Sequence, residues 1–268
     1  MIRIKSFAGV TDKGRVRSSN EDSLFMDGKD GVFIVADGMG GHSSGEVASR
    51  IVVDALPQLV GSWTSKLSSF KGDEALNRVK AAIVELSEQI VNETSERPAL
   101  YGMGSTVVMA LFRGAGTVIA HMGDSRAYLF RSKKLVRMTT DHSLVQLLLD
   151  SGEISEEQIK KHPAKSQITR HVGMRGEALP DAKFLEMVNG DRLLLCSDGL
   201  TGLVEDDEIR KILSGARGPS EACGALVKAA NSAGGSDNIT VIVVDVWDDE
   251  ASSTETKYKT RVIKIKRI

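Results

Sequence analysis

Aspartates stand at one end of several strand-like apolar runs in this chain of 268 residues. The runs VFIVA, TVIAHM, RLLLC and ITVIVVDV border, in this order, Asp37, Asp124, Asp198 and Asp237. A further acidic pair, Glu21-Asp22, precedes the first run. Each motif by itself is an ordinary turn sequence, because aspartate and glycine favour turns. If the strand ends converge, however, the carboxylates repel one another unless they are protonated or bridged by cations.

The composition of this acidic cluster indicates which cation it would hold. Oxygen ligands without thiolates or paired imidazoles favour hard ions such as Mg²⁺ and Mn²⁺. Two such ions about 3.5 to 4 Å apart generate a hydroxide and hold the oxygens of an in-line displacement. The cluster therefore predicts hydrolysis of a phosphate ester.

Two patterns of hydrophobic residues predict the strands and helices that would position these aspartates. Runs of β-branched residues predict strands over 32–36, 105–112, 117–122, 126–131, 192–196 and 239–246. Apolar residues three and four apart predict helices over 73–96 and from Gly45 to about Leu59, both lying on a sheet. The strands between 105 and 131 have only short turns between them, whereas a parallel connection needs a dozen or more residues. The predicted class is therefore α+β, with mainly antiparallel sheets covered by helices.

Two segments differ from this pattern. Residues 142–182 predict two short helices followed by irregular chain, which we interpret as an inserted flap. Residues 248–256 are acidic and rich in Ser and Thr, and the stretch KYKTRVIKIKRI that follows contains basic residues and no acid. We therefore predict a catalytic domain over residues 1–247 and an acidic linker with a basic C-terminal tail over 248–268.

The overall composition argues against several classes of protein. Lys and Arg total 35 against 36 for Asp and Glu, so the net charge of -1 provides no basic field for nucleic acid. Neither a signal peptide nor a run of roughly 18 apolar residues, the length of a membrane span, is visible. Cys196 and Cys223 lack the spacing of a zinc site and fit a reducing compartment. We expect a cytoplasmic protein with no nucleic-acid partner and no integral membrane segment.

Eight motifs occur in an order that is typical of one family. They are RSSNED (17–22), VADGMGGH (35–42), GSTVV (104–108), MGDSRAYLFR (122–131), DHSLV (141–145), HPAKSQITR (162–170), LLLCSDGL (193–200) and GGSDNITVIVV (234–244). The series closely resembles the bacterial branch of the metal-dependent, type 2C Ser/Thr protein phosphatases, the PPM family, over about residues 3–247. This resemblance implies a β-sandwich flanked by helices (α-β-β-α), with a two-metal centre in a cleft at one edge.

The resemblance also implies a set of oxygen ligands for the metals. Asp37 would bridge the two core ions; the Gly38 carbonyl would bind one of these ions, and Asp198 and Asp237 would bind the other. Asp124 would bind a third ion together with Asp198. Glu21 and Asp22 would support the centre through water. The cofactors would be Mn²⁺ or Mg²⁺, with two ions in the core site and a third beside them.

Residues for substrate binding and proton transfer are implied in the same way. Arg17 would hold the substrate phosphate, a task that suits a guanidinium fork. Animal members of the family have a histidine directly after the Asp-Gly pair as the proposed general acid. Here that position is Met39, and His42 is the bacterial counterpart in sequence. His162 lies in the flap, which in bacterial members is beside the cleft.

The implied enzyme hydrolyses phosphoserine and phosphothreonine in proteins by direct attack of metal-bound hydroxide. Its partners would be phosphorylated protein substrates and an opposing bacterial Ser/Thr kinase, and we expect a monomer.

Two other functions are weighed against this one. The segment 41–45 satisfies G-x-S-x-G, so a serine hydrolase would use Ser43. The antiparallel strands between 105 and 131, and the lack of any histidine after His171, argue against that fold and its triad order. A catalytically silent module of the phosphatase fold would bind phosphoproteins without hydrolysing them. Loss of ligand aspartates would mark such a module, and these aspartates are all present.

Overall fold

Two stacked β-sheets form the centre of the computed structural model, which describes residues 2–40, 44–67, 69–96, 102–114, 116–248 and 262–264. The strands are β1 (Ile2–Asp12), β2 (Asp22–Asp27), β3 (Val32–Met39), β4 (Gly104–Ser105), β5 (Val107–Arg113), β6 (Gly116–Met122), β7 (Arg126–Arg131), β8 (Lys134–Arg137), β9 (Asp181–Glu186), β10 (Arg192–Cys196), β11 (Ile239–Asp248) and β12 (Val262–Lys264). The helices are α1 (Ser44–Thr64), α2 (Asp73–Glu96), α3 (Leu144–Asp150), α4 (Glu156–Ile159), α5 (Asp198–Thr201), α6 (Asp206–Gly215) and α7 (Pro219–Ser232).

The order of the strands brings distant parts of the chain together. One sheet has the order β12-β1-β11-β10-β7-β8, and the other has β2-β3-β5-β6-β9 with β4 paired to β3. Neighbouring strands are antiparallel, except that β12 lies parallel to β1. The chain passes from one sheet to the other between β6 and β7, through the turn at 123–125. Asp124 therefore lies where the two sheets meet.

Hydrophobic side chains fill three layers. Along β3, Ile34 packs with α1 and α2, whereas Phe33 and Val35 point to the opposite face and pack with the other sheet. A separate cluster joins the outer face of that other sheet to α5, α6 and α7. The result is the predicted α+β fold, a sandwich of mainly antiparallel sheets with helices on both outer faces.

The structure also contains elements that the sequence patterns do not predict. Strands β1, β2, β8 and β9 were not among the predicted runs, and α1 continues beyond Leu59 to Thr64. β1 contains lysine, serine, threonine and aspartate among its apolar residues, and its long antiparallel pairing with β11 comes from tertiary contact. Among the described residues, no helix is both long and apolar enough to cross a membrane.

The segment predicted as a flap contains the short helices α3 and α4. The start of the segment is joined to residues 167–169, because the Thr169 amide donates to the His142 carbonyl at 2.8 Å and the Leu144 amide donates to the Gln167 carbonyl at 2.8 Å. On the outer side, Lys160 forms an exposed ion pair with Glu205, which directly precedes α6. The flap thus leaves and re-enters the fold at one narrow neck.

Candidate active site

The four aspartates that border the predicted strands come together with Asp22 at one edge of the sandwich. On one sheet, Asp22 at the start of β2 pairs directly with Asp37 near the end of β3. On the other sheet, Cys196 at the end of β10 has Val241 and Arg126 as its neighbours in register. This register places the residues that follow β10, precede β11 and precede β7 side by side. They include Asp198, Asp237 and Asp124.

Electrostatic interactions among these carboxyl groups show how close they are. Burial, followed by the charges of Asp22, Asp198, Asp124 and Asp237, raises the pKa of Asp37 well above its usual range. Burial also raises the pKa of Asp124 to about 8, with the nearby Asp198 charge as the next cause. The buried Asp37 and Asp124 carboxyls cannot readily be ionised together without compensating positive charge.

The Asp22 and Asp198 carboxyls follow the same rule. Burial raises the pKa of Asp22 to about 7, although hydrogen bonds from Thr240 and Ser197 oppose the shift. The pKa of Asp198 is raised by burial and then by the Asp237 charge. Its carboxyl also lies within hydrogen-bonding distance of Asp37. Two carboxyls in that position need a shared proton or a cation between them.

Two oxygen atoms in this cluster test whether the site fits a metal ion. Asp124 Oδ1 and Asp198 Oδ1 are buried and have no hydrogen-bond partner in the described part of the chain. An unpartnered buried carboxylate oxygen is costly unless a cation coordinates it. Because the donor set is made of oxygens, it fits hard divalent ions such as Mg²⁺ or Mn²⁺.

Hydrogen bonds from other motif residues fix the two aspartates of the first sheet. The Thr106 hydroxyl accepts the Asp37 amide at 3.0 Å, and the Thr106 amide donates to the Asp37 carbonyl at 2.8 Å. The Ser197 hydroxyl donates to Asp22 Oδ2 at 2.7 Å and accepts the Thr240 amide at 3.0 Å. Sequence reasoning missed Thr106 and Ser197 as positioning residues. Their only signal was membership of the GSTVV and LLLCSDGL motifs.

Gly38 lies in a space that admits no side chain. A Cβ atom at this position would meet the Gly45 carbonyl oxygen at 1.9 Å and the Glu21 carbonyl oxygen at 2.7 Å. Glu21 is thereby held against the first turn of α1, with its side chain beside Gly45. Burial raises the pKa of Glu21, partly offset by the nearby Arg17 guanidinium. Glycine at 38 allows β3, α1 and the acidic segment before β2 to meet at the site.

Arg17 lies at the rim of the acidic cluster. Its Nη2 donates to Asp237 Oδ2 at 2.8 Å, and the two side chains are 52% and 33% exposed. The guanidinium is therefore accessible to a ligand and also paired with one of the predicted metal ligands. The sequence predicted a contact of Arg17 with the substrate phosphate, and the structure adds a contact with Asp237.

The structure describes only one of the two histidines, His42 and His162, that the sequence suggested as site residues. His42, like Ser43, lies outside the described residues. His162 is described, and its hydrogen bonds are local to the flap: its Nδ1 accepts the Ala164 amide at 3.2 Å. Among the described residues, its backbone bonds to the neighbouring flap residues Ile159 and Lys165. The contacts of His162 therefore do not join it to the aspartates.

A second cluster of potential metal ligands lies at the neck of the flap. It contains His121, His142 and Asp181, and the rings of the two histidines stack at 4.5 Å. His142 Nδ1 accepts the Gly123 amide at 3.2 Å, so the proton of a neutral ring is on Nε2, which donates to Asp181 at 3.0 Å. His142 Nε2 then has no lone pair for a metal. These hydrogen bonds favour a structural network over a second metal site.

Cys196 borders the acidic cluster, but its thiol is not activated. It is fully buried, and burial raises its pKa to about 12. A buried neutral thiol is a poor nucleophile.

Comparison with known proteins agrees with this geometry. The family model described as "Protein phosphatase 2C" matches residues 13–224. The serine/threonine phosphatase stp of Listeria welshimeri is 41% identical over 238 residues, which cover 88% of this chain and 93% of that protein. These relatives do not favour the two alternative functions, a serine hydrolase and a silent binding module.

Solved structures give the same result. The crystal structure of the Mycobacterium tuberculosis serine/threonine phosphatase PstP/Ppp has a TM-score of 0.81 and 37% identity, covering 92% of this chain and 99% of that one. A structure of the PstP catalytic domain in complex with two manganese ions has a TM-score of 0.76 and 36% identity, with the same coverage. The motifs, the fold and these relatives together show that the chain belongs to the protein phosphatase 2C family and is a serine/threonine protein phosphatase.

Proposed function

We propose that this phosphatase removes phosphate from phosphoserine and phosphothreonine in proteins at the acidic cluster, with Mn²⁺ or Mg²⁺ as cofactor. The observation that supports it most is the meeting of five aspartates from two sheets, two of which have buried, unpartnered oxygens. The manganese ions of the similar PstP catalytic domain support the choice of metal.

We propose as ligands the residues that the family resemblance implies. They are Asp37, placed among all the other aspartates, Asp198 and Asp237 on the second sheet, Asp124 between the sheets, the Gly38 carbonyl, and Glu21 and Asp22 acting through water. Divalent ions bound there supply Lewis-acid chemistry, because they lower the pKa of water and neutralise charge on phosphate oxygens. We propose two ions in the core and a third near Asp124.

Arg17 is proposed to orient the substrate. Its guanidinium lies at the exposed rim, where its remaining N–H groups can donate to the oxygens of a phosphate monoester. The hydrogen bond to Asp237 keeps the side chain directed toward the cluster. Arg17 would thereby hold the substrate phosphate beside the acidic cluster.

Departure of that oxygen requires a proton. The Met39 side chain has no proton to donate, so we assign this step to His42, with solvent as the other source. The role of the flap, including His162, is proposed to lie in contact with the protein part of the substrate.

The biological setting is part of the proposal. We assign the catalytic unit to residues 1–247, the flap to about 142–182 and the linker and tail to 248–268. The two free, buried cysteines suit the cytoplasm, where an opposing Ser/Thr kinase would generate the substrates. We propose that the enzyme acts as a monomer.

One assay tests the central claim. Hydrolysis of a phosphothreonine peptide is measured with EDTA, with added Mn²⁺ and with added Mg²⁺, for the natural chain and for Asp198→Asn. We expect no activity in EDTA, recovery with the metals and almost none in Asp198→Asn at any metal concentration. Binding of the peptide without hydrolysis under all conditions would indicate a silent binding module, and full activity in EDTA would refute metal dependence.

A further inference from the structure

The segment that contains Arg17 has no regular secondary structure of its own. It joins β1 to β2, and residues 13–21 form neither helix nor strand. A side chain that must orient phosphate needs a fixed backbone beneath it, because small displacements of a binding group reduce its effect. Contacts with the rest of the protein must therefore hold this segment in place.

Asn238 provides such contacts from the turn before β11. Its side-chain amide nitrogen donates to the Lys13 carbonyl at 3.0 Å and to the Ser19 carbonyl at 2.9 Å. Its Oδ1 accepts the Glu21 amide at 2.8 Å. These three bonds hold the start and the end of the segment on either side of Arg17. Asn238 is only 5% exposed, so water cannot readily replace them.

The backbone of the segment fits closely against the same turn. The Arg15 amide donates to the Gly235 carbonyl at 2.7 Å. Gly14 has φ of +77°, and a Cβ atom there would lie 2.1 Å from the Asp237 carbonyl oxygen. The segment is thus docked on residues 235–238, and Asn238 is the residue of this turn whose side chain spans it.

We propose that Asn238 is a positioning residue that fixes Arg17 for phosphate binding. The inference rests on the proposed role of Arg17. The neighbouring Asp237 does not depend on the Asn238 side chain for its own hydrogen bond, because its Oδ1 accepts the backbone amide of Asn238 at 2.8 Å. Truncation of the Asn238 side chain therefore removes the support of the segment and keeps this contact of the predicted metal ligand.

A double-mutant cycle in the full chain tests the inference. Michaelis parameters for a phosphothreonine peptide are measured at saturating Mn²⁺ for the natural chain, Asn238→Ala, Arg17→Ala and the double variant. We expect Asn238→Ala to raise KM about tenfold with a smaller change in kcat, and to raise it less than about twofold when Arg17 is already absent. Asn77→Ala is the control, because it removes the same side-chain amide at an exposed position of α2. We expect it to leave KM unchanged.

Each other outcome has a definite meaning. Equal increases in KM with and without Arg17 would overturn the inference while leaving the role of Arg17 intact. An unchanged KM in Arg17→Ala alone would refute the role of Arg17, and with it the inference. Thermal unfolding checks that each variant is folded at the assay temperature. If Asn238→Ala does not fold, Asn238→Ser, which keeps a small polar side chain, enters the same cycle with the same criteria.

Discussion

Removal of metal should make the stability of this protein fall as pH rises from 7 to 8. Burial and neighbouring carboxyls raise the pKa of Asp124 to about 8 and that of Asp37 well above its usual range. In the unfolded chain both groups are ionised throughout this interval. The folded, metal-free protein therefore binds more protons than the unfolded chain, and its free energy of unfolding decreases with pH. This stabilisation is complete below the unfolded pKa and is lost as pH passes through the folded pKa.

The size of the effect follows from the number of protons retained. One carboxyl proton held by the folded state corresponds to about 1.4 kcal/mol per pH unit. For a domain of this size, such a loss lowers Tm by about 3 to 6 °C. The interval from pH 7 to 8 avoids the contribution of three histidines, His121, His142 and His171, whose pKa values are lowered by burial. These histidines make the free energy of unfolding rise with pH, and this effect ends as pH exceeds about 6.5, the unperturbed histidine pKa.

Circular dichroism melting curves in EDTA and in excess Mn²⁺ measure this effect at pH 7 and pH 8. If Mn²⁺ binds to the carboxylates as proposed, they would be ionised, so we expect a higher Tm that changes little with pH. Asp124→Asn removes one of the titrating groups and should reduce the pH dependence in EDTA, whereas Asp30→Asn, at an exposed carboxyl, should not. A Tm in EDTA that is constant or rises from pH 7 to 8 would show that the cluster is not protonated, and the reasoning would be wrong.

Three further predictions concern the nucleophile, the flap and the C-terminal tail. In a phosphopeptide assay, Asp198→Ala should lose nearly all phosphatase activity and Ser43→Ala should retain most of it. The reverse order, with a covalent enzyme intermediate trapped by acid, would support a serine nucleophile. His142→Ala removes the hydrogen bonds to Gly123 and Asp181, so proteolysis within the flap should become faster. Asp198→Ala should show no such change. Equal cleavage rates in His142→Ala and the natural chain would contradict a structural role for these hydrogen bonds. Truncation after Trp247 removes β12, an edge strand that pairs with β1, and should leave hydrolysis of a small phosphate ester within about twofold, because none of the proposed ligands lies in 248–268. A folded but inactive truncated protein would contradict the assignment of 248–268 as a tail.

The sequence predicted those parts of the fold that have a strong local pattern. The helix predicted over 73–96 has these bounds in the structure, and strong apolar runs such as 192–196 form strands. β1 and β9 lack such a pattern: in β9, half-buried positions alternate with exposed ones, and its pairing with β6 is what makes it a strand. The predicted strand over 105–112 is interrupted at Thr106, where the backbone bonds to Asp37.

The same distinction applies to the candidate site. Aspartates at strand ends could be identified because apolar runs are local and their ends are visible in the sequence. The roles of Thr106, Ser197 and Asn238 could not, because each depends on a partner that is distant in the chain. The hydroxyl of Ser197, for example, reaches Asp22 across 175 positions. Contacts of this kind follow from the pairing of strands, which no local pattern specifies.

The division of the aspartates between the two sheets has a consequence for how the protein holds together. Asp22 and Asp37 belong to one sheet, Asp198 and Asp237 flank strands of the other, and Asp124 lies on the connection between them. If a cation binds to these groups as proposed, it would cross-link the two layers. Neither sheet could then separate from the other without releasing the ion. Amide hydrogen exchange in β3 and in β10 should therefore slow together when metal binds, although the two strands belong to different sheets.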